Sequence, residues 1–260
     1  MLFRSGSPGA RFAAMRSRLW WAGGVAIYLL ILFVFAPAAW LDVAANRLSE
    51  GRVRIAAAEG TFWSGRGELQ LVDARRTTAI AEAIEWQIFP VAVLAGRIEC
   101  AIGIGGARKF RVAATPSRLE IADADVSIAA AVLGVIDPAM APFALRGRFV
   151  AHIVDLVWTR PELHANGVIV WRAAGSEHSK VAPLGDYQLA VAPAGRGVQF
   201  RLTTLNGPLQ LEGGGAWSPG ARPVFNAMAR AAPQFQEQIE PLLRLFAAER
   251  GGGNYEVRLQ

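Results

Sequence analysis

The sequence predicts a mainly β protein, in which a single N-terminal transmembrane helix is followed by an antiparallel β-meander with a few short helices. Two observations support this fold class. Residues 19–41 form an uncharged apolar stretch, and beyond residue 42 apolar residues recur at every second position between short glycine and proline turns. The first pattern is typical of a membrane span, and the second is typical of half-buried strands.

The apolar stretch at 19–41 is long enough to cross a bilayer, whose core of ~30 Å requires about 20 helical residues. Trp20, Trp21 and Trp40 lie at its two ends, where an indole ring can be buried while its N–H stays among headgroups. Residues 1–18 contain four basic residues and no acid: Arg4, Arg11, Arg16 and Arg18. We therefore expect a cytoplasmic arm at 1–18 and a transmembrane helix at 19–41.

A cleaved signal peptide is the alternative for this segment, because Ala36-Pro37-Ala38 has the small-x-small form of a cleavage site. A signal peptide's apolar region is only ~7–15 residues long, whereas this one is continuous from Leu19 through Phe35. We therefore expect the span to be retained. The basic arm favours a cytoplasmic N-terminus, with residues beyond about 42 on the other side of the membrane.

Residues 42–260 alternate apolar and polar residues in many short segments, as in Ile84, Trp86 and Ile88, which flank Glu85 and Gln87. This alternation predicts an antiparallel meander in one β-rich domain. The segments IEWQIFPVAVLAGRIEC and DLVWTRPELHANGVIVWR share a Trp strand, a proline crossover and a second strand led by glycine. The domain is therefore expected to contain two related β-units, roughly 43–140 and 141–260.

Three segments break the alternation and predict short helices: 89–96, 127–138, and a longer one that follows Pro233, is kinked or divided by Pro241, and is closed by the glycines at 251–253. A final strand is predicted around Tyr255. In RFVAHIVDLVW, regular alternation puts Val150, Val154, Leu156 and Trp158 on one face and Phe149, Ile153 and Val157 on the other. That strand would be apolar on both faces.

The composition argues against several functions. The net charge of +6 comes from arginines scattered through the chain, without the clustered basic and aromatic residues of a nucleic-acid interface. Cys100 is the only cysteine, so no internal disulfide can form. His152, His164 and His178 lack partners at metal-ligand spacing, and no catalytic or phosphate-binding motif occurs. We expect no enzyme, no metal, no cofactor and no catalytic residue.

The most distinctive motif is EGTFWSGRGELQL at 59–71, which predicts a strand, a tight turn and a second strand. Gly60 and Gly65 would supply special backbone angles, and Thr61 and Trp63 would share one side. We expect Trp63 to insert into the core of the domain.

With its position after the span, this motif resembles the opening signature of protein N of the bacterial type II secretion system. Further segments are similar to that family, namely EWQIFPVAVLAGRI, GVIVWR, APLGDYQL and NGPLQLEGGGAW, so the resemblance covers nearly the whole chain. The matching residues, for which we expect structural roles, are Gly60, Thr61, Trp63, Gly65, Trp86, Pro90, Gly96, Trp171, Gly207 and Gly213.

The resemblance implies a non-enzymatic accessory or scaffold of the machinery that exports folded proteins from the periplasm. It implies a single-pass protein of the inner membrane, with its β-domain in the periplasm. Its partners would be other inner-membrane or pseudopilus components. The alternative is a lipid-binding envelope protein with a β-groove, similar to AsmA-like or lipopolysaccharide-bridge proteins, and a strand that is apolar on both faces keeps that alternative open. An unrecognised binding module is the third possibility.

Overall fold

The computed structural model describes residues 20–21, 23–25, 27–29, 31–72, 78–137, 140–244, 248–251 and 254–259. The backbone is helical at 20–21, 23–25, 27–29 and 31–34, and a linker at 35–38 separates it from helix α1, Ala39–Leu48. Among the described residues, no helix combines the length and the apolar character needed to cross a bilayer. The predicted arm at 1–18 lies outside the described residues, and the predicted span remains a prediction.

One antiparallel sheet contains all fourteen described strands, in the order β1 to β12, then β14, then β13. The strands are β1 Val53–Gly60, β2 Ser64–Val72, β3 Thr78–Ile88, β4 Ile98–Ile104, β5 Phe110–Thr115, β6 Arg118–Ala129, β7 Leu145–Thr159, β8 Glu162–Ser176, β9 Gly185–Ala194, β10 Gly197–Asn206, β11 Leu209–Trp217, β12 Val224–Ala231, β13 Ala248–Gly251 and β14 Asn254–Leu259. The predicted antiparallel β-meander is confirmed. The two predicted units are joined within this sheet by pairing of β6 with β7.

Short helices occupy the connections, as the sequence predicts. They are α2 Pro90–Leu94, α3 Val132–Ile136 and α4 Gln236–Leu243, and 3-10 turns lie at Ala141–Phe143 and Pro233–Phe235. Helix α3 is shorter than the predicted 127–138, because residues 127–129 still belong to β6. Helix α4 continues through Pro241 and ends before the glycines, so Gly251 belongs to β13.

Strand β7 corrects one prediction, namely which of its apolar residues share a face. The pairing of β7 with β8 shifts register between Ile153 and Asp155, so that Val154 is an extra residue. A bulge of this kind reverses which face the following residues occupy. Phe149 and Ile153 therefore share a face with Leu156 and Trp158, since their partners in β8 are Trp171, Gly167, Ala165 and Leu163. His152 and Asp155 lie on the opposite face together with Val150 and Val157, so that face is mixed.

The sheet is strongly bent along part of its length. Cα atoms of β8 approach those of β10 within 8 Å, and the same is true of β9 and β11. Strands two apart in a flat sheet would be separated by roughly 9.5 Å, about twice the spacing of neighbouring strands. The sheet therefore curls across β8–β11.

The two edges of the sheet are protected differently. Helix α1 lies along β1, where the Ile55 N–H donates to Asp42 Oδ1 at 2.8 Å and the Val53 N–H donates to Ser49 Oγ at 2.9 Å. These bonds satisfy edge groups that would otherwise be open to pairing with another chain. The other edge strand, β13, has only four residues.

The main buried core lies at the C-terminal end of the sheet, where α4 packs on β12 and its neighbours. Ile239 and Leu243 from the helix and Tyr255 from β14 are almost completely buried. The apolar face of α4 and the alternation of β14 are the sequence features that produce this contact.

Candidate functional site

The turn at residues 61–63, between β1 and β2, binds the linker between the N-terminal helix and α1. The Phe62 N–H donates to the Ala36 carbonyl at 2.7 Å, and Pro37 pairs with Thr61 in an isolated bridge. The Trp63 indole N–H donates to the Phe33 carbonyl at 2.6 Å, and the two rings lie 4.5 Å apart between centroids. We call this contact the junction; it comprises residues 33–38 and 60–65.

The motif residues Gly60 and Gly65 are required by close approach in the junction. Gly60 has a φ of 96°, and a Cβ there would lie 2.6 Å from the Ser64 carbonyl oxygen. A Cβ on Gly65 would lie 2.3 Å from the Glu59 carbonyl oxygen and 2.5 Å from the Trp86 ring. All three distances are too short for a side chain without a shift of backbone or ring.

Trp86 fills the core beneath the turn, and Trp63 does not. Trp86 is 5% exposed, and its indole N–H donates to the Thr61 carbonyl at 3.2 Å. Trp63 is half-buried and packs on Phe33 and Phe62. The structure thus places Trp63 against the N-terminal helix. The prediction that Trp63 inserts into the core is wrong.

Thr61 closes the turn through its side chain and its backbone. Its N–H donates to the Ser64 carbonyl at 2.8 Å, and its hydroxyl accepts the Ser64 N–H at 3.1 Å. The next strand joins the same assembly, because the Ile88 N–H donates to the Trp63 carbonyl at 2.6 Å. The motif therefore builds a turn that is held on two sides.

Pro90 and Gly96 frame helix α2, directly after this contact. Pro90 is the first residue of the helix, where a missing N–H costs nothing, and Gly96 follows its end with a φ of 74°. The helix leaves Val91 78% exposed. Seven of the motif residues predicted from the sequence thus lie in or beside the junction: Gly60, Thr61, Trp63, Gly65, Trp86, Pro90 and Gly96.

The other three motif residues lie in the C-terminal half of the sheet. Trp171 in β8 contacts Phe149 and Tyr187, and its indole N–H donates to the Arg146 carbonyl at 2.9 Å. A Cβ on Gly207 would lie 2.3 Å from the Gly185 Cα, and one on Gly213 would lie 2.5 Å from the Ala227 Cβ. These glycines permit close approach of backbone segments.

Tyr187, from the family-like segment APLGDYQL, also belongs to this second group. It is 3% exposed, and its hydroxyl lies 3.1 Å from the Leu184 carbonyl oxygen and 2.9 Å from the Leu209 carbonyl oxygen. Burial raises the pKa of Tyr187 well above its ordinary value. Alternation predicts Tyr187 to be inside, but only the fold shows which carbonyl groups its hydroxyl meets.

The three tryptophans that were predicted to lie at membrane interfaces are exposed. Trp20 and Trp21 are 79% and 78% exposed, and Trp40, the second residue of α1, is 52% exposed. Trp40 helps to line an apolar cleft of about 390 Å³ beside the junction, together with Leu29, Leu32, Phe33, Phe62 and Trp63. Leu29, Leu32, Phe33 and Phe62 line this cleft and were not singled out from the sequence.

Titratable groups outside the junction form surface pairs. His152 lies 2.6 Å from Asp125, His164 lies 3.0 Å from Asp155, and all four side chains are substantially exposed. Within the described part of the chain, no three His, Cys, Asp or Glu side chains are placed to hold a metal ion. Burial raises the pKa of the half-buried Cys100 thiol, so it stays protonated and weakly nucleophilic.

Comparison with known proteins gives one match. The family model described as Type II secretion system (T2SS), protein N matches residues 51–258, which is most of the chain and includes both groups of motif residues. No curated protein matches the chain, and no solved structure does.

Proposed function

Because the chain belongs to the protein N family of the type II secretion system, we propose that it is a non-enzymatic accessory scaffold of that machinery at the bacterial inner membrane. In this proposal residues 19–41 cross the membrane, the arm at 1–18 is cytoplasmic, and the sheet lies in the periplasm. Its partners are other inner-membrane or pseudopilus components of the same machinery.

The observation that carries the proposal, beyond the family, is the junction. The backbone of 33–38 is hydrogen-bonded to the first turn of the sheet, so the apolar N-terminal helix and the β-domain are connected without a free linker. A scaffold requires this property, because a partner bound to the sheet is then held at a fixed position relative to the helix.

The observation that kept the lipid-groove alternative open is weaker in the structure. The bulge at Val154 gathers Phe149, Ile153, Leu156 and Trp158 on one face of β7, and the other face mixes Val150 and Val157 with His152 and Asp155. We therefore propose the scaffold alone.

In-cell crosslinking of the full-length chain tests the scaffold function. A photoreactive residue replaces Arg111 in β5 or, as a matched control, Trp86 in the buried core. Arg111 is exposed, and its cross-strand partners in β4 and β6 are Ala101 and Ala122, so replacing it leaves this part of the sheet intact. We expect secretion-machinery subunits among the adducts from position 111 and none from position 86. Adducts from position 111 that contain lipid and no protein would contradict the proposal.

The predicted topology is tested separately by labelling single cysteines in a Cys100→Ser background. A cysteine at position 5 should react with a membrane-impermeant reagent only after the inner membrane is opened. One at Ser179, in the β8–β9 connection, should react once the outer membrane alone is permeable. The opposite pattern would reverse the proposed orientation.

A further inference from the structure

We propose that the turn at 61–63 and helix α2 are inserted in the periplasmic interface of the bilayer, and that the cleft beside the junction holds a phospholipid acyl chain. This inference rests on the proposed function, because it requires residues 19–41 to cross the membrane. It adds a second membrane contact, made by the β-domain itself.

The position of Trp63 along the N-terminal helix is the first step. Its indole N–H is bonded to the Phe33 carbonyl at 2.6 Å, so the turn lies beside a residue of the predicted span. If a core of ~30 Å begins at Leu19 in the predicted span, a helical rise of ~1.5 Å per residue places Phe33 roughly 21 Å across it, about 9 Å inside the outer boundary. The turn, which is bonded to Phe33 and Ala36, then lies in the outer part of the bilayer core.

The second step is that the turn can enter an apolar phase, because most of its backbone polar groups are already hydrogen-bonded. The N–H groups of Thr61 and Ser64 bond within the turn, and that of Phe62 bonds to Ala36. The carbonyl groups of Thr61, Trp63 and Ser64 accept from the Trp86 indole, the Ile88 N–H and the Thr61 N–H. A backbone N–H or carbonyl group without a hydrogen bond would cost several kcal/mol in hydrocarbon. The polar groups of a turn at this depth must therefore be hydrogen-bonded.

The third step is the surface around the turn. Large apolar side chains on this surface are exposed: Phe33 41%, Phe35 68%, Trp40 52% and Val91 78%. The sheet therefore does not bury them. The cleft between the turn and the helix, about 390 Å³, has the size of a small-ligand pocket. It is lined by apolar side chains, and residues of the predicted span form one of its walls. A cleft in this position opens to the lipid of the bilayer.

Charge at the edge of this surface fits phospholipid headgroups. Arg97 follows α2 and lies 3.6 Å from Glu120, which also pairs with Arg118. Two guanidinium groups thus share the Glu120 carboxylate, and Glu99 lies two strands away in the same cross-strand row. Both arginines are about half exposed, and long side chains of this kind reach from an apolar boundary towards phosphate groups.

The test uses the full-length chain, in a Cys100→Ser background, reconstituted into phospholipid vesicles. A single cysteine replaces Phe62 or Val91 and carries an environment-sensitive fluorophore. Leu205 is the matched control, because it is also an exposed aliphatic residue, at 51%, but lies at the end of β10 that points away from the junction. Quenching by phospholipids with a nitroxide on the acyl chain is compared with quenching by an aqueous reagent.

We expect several-fold stronger quenching by the acyl-chain nitroxide at positions 62 and 91 than at 205, and the reverse order for the aqueous quencher. The charged variant Phe62→Asp should reduce lipid quenching of the label at 91. Equal quenching at 62, 91 and 205 would overturn the inference. Position 91 is an independent reporter if a substitution at 62 disturbs the turn.

Alkaline carbonate extraction of the same vesicles separates this inference from the proposed function. A chain that resists extraction while its labels at 62 and 91 remain aqueous would refute the inserted turn and leave the scaffold intact. A chain that is extracted would refute the span, and the inference would fail with it.

Discussion

The two ends of the sheet are held together in different ways. At the C-terminal end, α4 covers β12 and its neighbours, and large side chains such as Leu243 and Tyr255 are buried in a continuous core. At the junction, the buried residues are the small Ala36 and Ala38, with Trp86 of β3 beneath the turn, and backbone hydrogen bonds make the contact. The C-terminal end is stabilised by its own apolar packing, whereas the junction leaves its large apolar side chains outside.

This difference indicates which part of the protein surface requires contact with a membrane or a partner protein. A domain that buries its apolar residues in its own core needs no partner at that place. The junction keeps Phe33 and Phe35 exposed beside the exposed Trp40 of α1, so this apolar surface is complete only against a membrane or another protein. Substitutions at the two ends should therefore differ in how much they lower stability and in how strongly that loss depends on lipid.

The largest effect is expected at the C-terminal core. Leu243 is completely buried, so Leu243→Ala should lower the free energy of unfolding by about 2–5 kcal/mol, through lost transfer energy and a residual cavity. Denaturant unfolding of the full-length chain in mild detergent, followed by circular dichroism, measures this. The matched control Leu205→Ala, at a residue 51% exposed, should change it by at most ~0.5 kcal/mol. Equal losses would contradict the difference between the two ends.

The next effect is expected where Gly65 meets Trp86. Gly65→Ala would place a Cβ 2.3 Å from the Glu59 carbonyl oxygen, and relieving that overlap should destabilise the chain by about 1–3 kcal/mol. Gly175→Ala is the control, because its Cβ would make only an ordinary contact, 3.7 Å from Arg146. Thermal unfolding of both variants measures this loss of stability. A Gly65→Ala variant that melts like the control would show that the junction accommodates the methyl group.

A smaller effect is expected at Tyr187, beside the C-terminal core. Tyr187→Phe removes a buried hydroxyl that bonds the Leu184 or Leu209 carbonyl oxygen, and should cost about 1 kcal/mol. The Leu184 carbonyl oxygen also accepts the Leu209 N–H, so this oxygen keeps one hydrogen bond in the variant. The same unfolding assay measures the loss. A variant as stable as the parent chain would show that the hydroxyl adds nothing beyond the packing of the ring.

The alternation of apolar residues was sufficient to predict the antiparallel meander, because each strand carries its own period of two. Ile84, Trp86 and Ile88 lie in β3 as predicted, and Pro90 begins a helix. The bulge at Val154 could not be predicted, because an inserted residue reverses the faces without changing the composition of the segment. Pairing with β8 fixes it, and that information lies elsewhere in the chain.

The site was predicted in part for a similar reason. The glycines of the 59–71 motif indicated a tight turn, and the turn is present. What the turn contacts depends on the path of residues 33–38, which the local sequence does not specify. Trp63 and Trp86 are both aromatic residues in strand-forming surroundings, and only the fold shows that Gly65 makes room for the second. Phe33 and Phe62 gain their importance from that same contact.

The smallest effect is expected at Asp42, which attaches α1 to the edge of β1. The pKa of Asp42 lies below its ordinary value, chiefly because Arg54 donates a hydrogen bond to it and also because the Ile55 N–H does. A carboxyl with a lowered pKa stabilises the fold above its unfolded pKa of ~3.9, and that contribution is lost as the pH falls through the folded value. Asp42→Asn should therefore cost up to about 1 kcal/mol near neutral pH and progressively less in acid.

Unfolding of the parent chain and of Asp42→Asn across the range from neutral to acid measures this difference directly. Arg54→Gln is the informative companion variant, because it leaves the bond from Ile55 in place and removes the ion pair. Because the amide oxygen introduced by Asp42→Asn can still accept the Ile55 N–H, the two variants should lose similar amounts if the ion pair is what stabilises the contact. A gap between the parent and Asp42→Asn that stays constant as the pH falls would mean that the charge of Asp42 is not what holds α1 on β1. The edge would then depend on the bond from Val53 to Ser49, which does not titrate.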